Sequence, residues 1–248
     1  MISDKGSVKM VGGVLQNIST GEILAMFRKV RQISRGFRPF HWKISGQNSI
    51  LLPVFVGLLL GLCGNVLAKS KFNRVVSVGD AAPTWSELPG TDGARHSFDD
   101  IKDAPVLVVA FICNHCPVAK GYEARLIEFV NTYKDRGVKL VAINVNTGKV
   151  DRLDKMQERA TAHGFNFTYL FDESQQTARA YGATVTPHVF VIDGKRRIAY
   201  MGAFDDHNEP ARVQKHYVVD AVEAILAGKT PAVKESLQRG CGIQYKNR

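Results

Sequence analysis

The chain has 248 residues, with 33 Lys and Arg against 23 Asp and Glu, and a formal net charge of +10. Residues 1–68 hold eight of the basic and two of the acidic residues, so this stretch carries +6 and the remaining 180 residues only +4. That remainder is long enough for one domain with its own hydrophobic core. It shows no basic stripe of the kind that nucleic-acid binding needs, so we expect no nucleic-acid partner. Four cysteines are too few for a disulfide scaffold but suffice for a redox pair and an extra thiol.

Residues 1–68 are typical of a leader. An uncharged apolar run at 50–62 follows a basic approach and precedes Val66-Leu67-Ala68, the V-x-A pattern of an export cleavage site. We expect cleavage after Ala68; alternatively the segment is retained as a membrane anchor, because 50–68 is just long enough to span a bilayer. In both cases the positive flank faces the cytoplasm. The domain would then lie in the periplasm or cell envelope, where disulfides persist.

The rest of the chain alternates strand and helix patterns. The order predicts an α/β domain with a mixed central sheet over residues 69–228 and a C-terminal tail over 229–248. In chain order, we predict short strands at 75–78 and within 84–98, a helical turn at Asp99-Asp100, a buried central strand beginning at Val106, a helix from Pro117 to Gly137, a strand over 138–145, a helix over 150–163, a strand over 167–171, a helix over 172–181, a hairpin of 189–193 with 196–200 around Asp193-Gly194, and a last helix over about 213–226.

The central strand leads into Cys113-Asn114-His115-Cys116-Pro117, where we expect the chemistry. Pro117 suits the first position of a helix, which places Cys116 at the helix N-terminus. Free N–H groups and the peptide dipoles there favour a thiolate over a thiol. His115 lies between the two thiols, where a partly cationic imidazole would stabilise a thiolate; the alternative is an exposed loop histidine.

This pattern resembles the thioredoxin superfamily, specifically its exported thioredoxin-like and peroxiredoxin-like (AhpC/TSA redoxin) members, over about residues 75–228. The resemblance rests on the strand–CxxCP–helix unit, on Thr186-Pro187 before a late strand, and on the closing hairpin and helix. It implies a thioredoxin-like fold with an N-terminal strand extension and a strand–helix insertion at about 138–171. It also implies a cis bond at Pro187 that faces the active thiol, with Thr186, Pro187 and His188 at the substrate-binding edge.

Two models for the cysteines remain open. In the family, the nucleophilic cysteine follows an aromatic residue of the central strand by five positions, and from Phe111 that position is Cys116. In this model Cys116 is the nucleophile, and Cys113 or Cys241 resolves the mixed disulfide. In the other model Cys113 is the nucleophile and Cys116 resolves it. Cys241 lies between two glycines, which indicates a tight turn or mobile loop that would bring the thiol back to the site; the alternative is a free surface thiol.

The leading hypothesis is an exported thiol–disulfide oxidoreductase. It would exchange mixed disulfides with thiols or disulfides of proteins or small molecules, with no cofactor and no metal. A thiol peroxidase, working through a sulfenic acid on Cys116, is the second hypothesis, although the peroxiredoxin motif P-x-x-x-T-x-x-C is missing in either register. The third is a copper-binding assembly module in which Cys113, Cys116 and His188 form a soft site.

Overall fold

The structure is a computed structural model that describes residues 70–246. Within this part of the chain, no helix combines the length and the apolar character needed to cross a membrane. The apolar run at 50–62 and the predicted cleavage site lie outside the described residues.

A five-stranded mixed sheet forms the centre of the described domain. The strands are β1 Leu88–Pro89, β2 Arg95–His96, β3 Val106–Phe111, β4 Lys139–Asn144, β5 Thr168–Phe171, β6 Val185–Thr186, β7 His188–Asp193, β8 Ile198–Gly202 and β9 Cys241–Gly242. The central sheet has the order β5-β4-β3-β7-β8, in which β3, β4 and β5 are parallel and β7 and β8 run antiparallel. Every residue of β3 is buried because both faces of the sheet are covered, which explains its unbroken apolar sequence.

Helices cover both faces of this sheet. The helices are α1 Pro117–Lys120, α2 Glu123–Tyr133, α3 Leu153–His163, α4 Gln176–Tyr181 and α5 Tyr217–Leu226. One face packs against α2, α3 and α5, through side chains that include Leu126, Met156 and Val222. The opposite face packs against α4 and the N-terminal segment, where Tyr181 and Trp85 are buried.

Most of the predicted elements are present, including the hairpin around Asp193-Gly194 and the inserted strand–helix–strand unit of β4, α3 and β5. The strand predicted at 75–78 was wrong. The side chain of Asn73 accepts the backbone N–H groups of Val75 and Val76, and Asp80 accepts that of Ser77, so a local turn replaces strand pairing.

Flanking segments cover both edges of the central sheet. On the β5 side, Thr91 donates its N–H to Tyr169 O at 2.9 Å. On the β8 side, Met201 donates to Lys234 O and accepts from the Ser236 N–H, both at 3.1 Å. The C-terminal tail therefore packs onto the domain.

Candidate active site

The loop that leaves β3 places Cys113 and Cys116 at the carboxyl end of the central strand. Cys116 is the N-cap of α1 with Pro117 at the first helical position, which confirms the predicted helix start. Its sulfur accepts the N–H of Ala119 at 3.4 Å. Because α1 is only one turn long, its macrodipole is small. The Ala119 N–H is therefore the main way in which this helix stabilises a thiolate on Cys116.

Thr186 contacts both sulfurs from the opposite side of the site. The Thr186–Pro187 peptide bond is cis, as the family resemblance implies. The Thr186 hydroxyl lies 3.1 Å from Cys113 Sγ, and the neutral Cys116 thiol donates to Thr186 O, also at 3.1 Å. The residue before the cis-proline therefore holds the two cysteines with its side chain and its backbone respectively.

The third cysteine reaches the same site through strand β9. Cys241 pairs with Thr186 in the antiparallel β6–β9 ladder, so the segment expected to be a turn or mobile loop is a strand. Cys241 packs against the buried cluster that contains Cys113 and Cys116. All three described cysteines are free thiols.

Hydrogen bonding divides the charge unequally between the thiols. The thiol of Cys113 donates to Cys116 Sγ, and this donor, with Cys241 and the Ala119 N–H, lowers the pKa of Cys116 to about 4 against the opposing effect of burial. The same hydrogen bond, together with burial, raises the pKa of Cys113. Burial and the neighbouring Cys116 raise the pKa of Cys241 to about 11. Hydrogen bonding therefore favours a thiolate on Cys116 over one on Cys113, whereas Thr186 O opposes it.

A buried carboxylate orients the histidine between the thiols. Asp151 Oδ2 lies 2.6 Å from His115 Nδ1, and Asp151 Oδ1 accepts the N–H of Asn114 at 2.8 Å. This leaves His115 Nε2 facing Cys113 Sγ at 3.9 Å, so the imidazole acts on Cys113 rather than on Cys116. Sequence reasoning missed Asp151, which the predicted helix over 150–163 included as an ordinary helical acid; the structure places it in a short 3₁₀ turn.

Cys113, His115 and Asp151 are also close enough together to be considered as metal ligands. Single ligand atoms of these three residues lie within 4.8 Å of one another. Because Asp151 holds His115 Nδ1, the carboxylate serves as the outer partner of the ring. Cys113 and His115 alone are fewer than the three protein ligands of a catalytic zinc site. The geometry fits thiol activation better than metal binding.

His188 is the one predicted site residue that the structure does not bring to the thiols. It pairs with Phe111 and lies against the tilted ring of Phe190, with 4.6 Å between the ring centroids, on the sheet face opposite Cys116. Burial lowers its pKa to about 3, so the ring is neutral. The soft copper site hypothesised from the sequence therefore lacks its histidine.

A mixed sheet with a dithiol at the end of its central strand, facing a cis-proline, defines a thioredoxin-like fold. The chain belongs to the AhpC/TSA family, whose model matches residues 78–201. This confirms the resemblance to the thioredoxin superfamily and places the protein among thioredoxin-like redox proteins.

Solved structures agree with this assignment. A hypothetical protein from Sinorhizobium meliloti 1021 is 33% identical with a TM-score of 0.65, over 70% of this chain and 97% of that one. An uncharacterized conserved protein from Geobacillus kaustophilus is 32% identical with a TM-score of 0.66, over 71% and 96%. A putative protein disulfide isomerase from Bacteroides thetaiotaomicron shares the fold at 17% identity and a TM-score of 0.51, over 64% and 95%. No curated protein matches the chain.

Proposed function

We propose that the protein is a thiol–disulfide oxidoreductase that works through Cys113 and Cys116. The observation that carries this proposal is that both sulfurs lie against the residue before the cis-proline: Cys113 Sγ is 3.1 Å from the Thr186 hydroxyl oxygen, and Cys116 Sγ is 3.1 Å from Thr186 O. The buried sulfur is surrounded by the Ala119 N–H, Thr186 O and two thiols rather than by apolar side chains alone. The Cys113 thiol, the Cys241 thiol and the Ala119 N–H favour a thiolate, whereas Thr186 O opposes it; the net lowering of the Cys116 pKa favours the model in which Cys116 is the nucleophile.

The reaction follows from this arrangement. The Cys116 thiolate attacks one sulfur of a substrate disulfide, expels the other as a thiolate, and forms a mixed disulfide. The Cys113 sulfur then attacks Cys116 Sγ and releases the second substrate thiolate, so that two electrons pass to the substrate and a Cys113–Cys116 disulfide remains. The released thiolates take up the protons, and His115 Nε2 is positioned to accept the proton of Cys113. Every step is reversible, so the same site oxidises thiols when it starts as a disulfide.

The test is a redox titration of the full chain carrying Cys63→Ser, which removes the cysteine outside the described residues. The protein is equilibrated in glutathione buffers, and the disulfides are mapped by mass spectrometry. We expect a reversible Cys113–Cys116 disulfide with a potential between about −270 and −120 mV, the range of thioredoxin-like dithiols. Cys116→Ser should lose exchange, whereas Cys113→Ser combined with Cys241→Ser should trap mixed disulfides on Cys116. Failure of the pair to form reversibly would contradict the proposal.

Peroxide reduction is the second candidate. It is favoured by the family and by the thiol of Cys113 beside the Cys116 thiolate. A peroxide would oxidise Cys116 to a sulfenic acid, and Cys113 would condense with it to release water. Trapping of the sulfenic acid with dimedone in Cys113→Ser, with stoichiometric peroxide consumption, would support this activity. The missing peroxiredoxin motif makes us expect slow consumption.

We also propose that the protein is exported, with its domain in the periplasm or cell envelope. The proposal rests on the basic flank, the apolar run at 50–62 and the V-x-A pattern at 66–68. Cell fractionation and N-terminal sequencing of the mature protein test it. A first residue of Lys69 would indicate cleavage, an intact leader in the membrane fraction would indicate an anchor, and a cytoplasmic intact chain would contradict export.

A further inference from the structure

The three described cysteines lie around Thr186 and differ in their exposure to solvent. Cys113 is 2% exposed and Cys116 is fully buried, whereas Cys241 is partly exposed. All three meet at Thr186: Cys113 Sγ and Cys116 Sγ lie 3.1 Å from its hydroxyl and carbonyl oxygens, and Cys241 pairs with it in the β6–β9 ladder. A disulfide in solution therefore meets Cys241 before it meets the catalytic pair.

Strand β9 occupies the free edge of β6, the backbone edge at which an extended substrate would add a strand. The approach is close: a Cβ on Gly240 would lie 2.0 Å from Thr186 O, so only glycine fits there. By contrast, a Cβ on Gly242 would meet nothing within 4 Å. The tail thus contacts Thr186 as a bound peptide would, with a cysteine opposite the cis-proline segment.

The tail is anchored on both sides of β9. Before β9, the Ser236 hydroxyl is hydrogen-bonded to Tyr200 OH at 2.7 Å and accepts the Ala203 N–H at 3.0 Å. After β9, Gln175 donates to Gln244 O at 2.9 Å and accepts the N–H of Lys246 at 2.7 Å. With both ends fixed, residues 237–242 remain against the site, and direct access of a substrate to Cys116 requires displacement of this segment.

We propose that Cys241 is the exchange thiol of this enzyme: the tail acts as a built-in substrate strand, and Cys241 carries disulfides between Cys116 and thiols in solution. This inference rests on the thiol–disulfide exchange proposed above.

The exchange proceeds in three balanced steps. Starting from the Cys113–Cys116 disulfide, the sulfur of Cys241 attacks Cys116 Sγ, and its proton passes to the departing Cys113 sulfur. The product is a Cys116–Cys241 disulfide. An external thiolate then attacks the exposed Sγ of Cys241 and expels Cys116 as a thiolate, and a second external thiolate releases Cys241 and leaves as a small disulfide. Two external thiols are oxidised, and the catalytic disulfide is reduced to two thiols.

The energetics suit the second step. A leaving thiolate departs faster when its pKa is low, and the Cys113 thiol and the Ala119 N–H, which remain as donors in the Cys116–Cys241 disulfide, lower the pKa of Cys116. Attack is therefore directed to Cys241 Sγ, which is both the accessible sulfur and the one whose partner leaves readily.

The first experiment follows reduction of the oxidised full chain, carrying Cys63→Ser, by reduced glutathione. We expect Cys241→Ser to be reduced about tenfold or more slowly than its parent, because both remaining sulfurs are buried. In Cys113→Ser, mild oxidation should yield a Cys116–Cys241 disulfide. If Cys241→Ser is reduced at the parental rate, or if no Cys116–Cys241 disulfide forms, the inference is wrong. Both of these results are compatible with a Cys113–Cys116 disulfide in the parent. Absence of that disulfide in the parent would instead overturn the proposed function.

The second experiment displaces the tail and keeps Cys241. In the Cys113→Ser background, Gly240→Ala should lower the yield of the Cys116–Cys241 disulfide and increase direct alkylation of Cys116 by iodoacetamide. Gly242→Ala is the matched control and should change neither quantity. Equal behaviour of the two alanine variants would show that the close approach to Thr186 does not position Cys241.

Discussion

The charge on Cys116 depends mainly on the thiol of Cys113, and replacing Cys113 by alanine tests this. A hydrogen bond to a charged group contributes about 1.5–3 kcal/mol, and one pKa unit corresponds to about 1.4 kcal/mol. Removal of this one donor should therefore raise the pKa of Cys116 by about one to two units from about 4. The Ala119 N–H and Cys241 remain as donors and keep the pKa below its ordinary value.

The assay is the ultraviolet absorbance of the thiolate as a function of pH, in the reduced full chain carrying Cys63→Ser. The lowered pKa means that the thiolate is present at neutral pH and is lost as the pH falls through about 4. Cys113→Ser is the control: its hydroxyl keeps a donor, so its midpoint should lie nearer to that of the parent than the midpoint of Cys113→Ala does.

Two results would refute this reasoning. A midpoint near 9.0, the ordinary value, in the parent would show that the donors do not stabilise the thiolate. An unchanged low midpoint in Cys116→Ser would show that Cys113 carries the charge, which is the other of the two models for the nucleophile.

Other predictions concern stability and are measured by urea denaturation. Asp151→Asn removes the charge that holds His115, and we expect a loss of about 1.5–3 kcal/mol, with slower closure of the mixed disulfide because the ring is no longer fixed. Arg159→Met removes the two hydrogen bonds, at 2.6 and 2.8 Å, that the largely buried Glu123 accepts from Arg159, and leaves it only His163 Nδ1 at 3.5 Å as an ion-pair partner. A loss of about 3 kcal/mol is expected, and a change within error would show that the pair is solvent-screened. Leu126→Ala, at a 1% exposed core position, should cost about 2–5 kcal/mol, and a smaller loss would mean that the core repacks around the cavity.

Local sequence patterns predicted the elements that depend on nearby residues. The apolar run from Val106 predicted a buried strand. The prediction is correct because both faces of this strand are covered, which requires apolar side chains on both. Pro117 marked the start of α1, and Gly137, in the left-handed region at φ 76°, ends the helical segment after α2. The cis bond at Pro187 followed from the family resemblance and not from any local pattern.

The parts that the sequence did not predict depend on contacts between distant segments. Asp151 lies 36 residues from His115, and nothing near it distinguishes a buried partner from an exposed helical acid. The two residues of β9 next to Gly240 have no strand signature of their own; they form a strand because the edge of β6 is open to them. His188 could be placed on either face until the register of β7 with β3 was known.

The covered edges of the central sheet bear on how the chain can be divided. Met201 on β8 satisfies its N–H and C=O with Lys234 and Ser236, which belong to the tail. A fragment ending at residue 228 would keep every strand of the central sheet but expose this row of backbone groups, and an open strand edge is a template for pairing with another molecule. Residues 234–236 thus cover a strand edge at which the domain would otherwise be open to self-association, independently of any thiol chemistry.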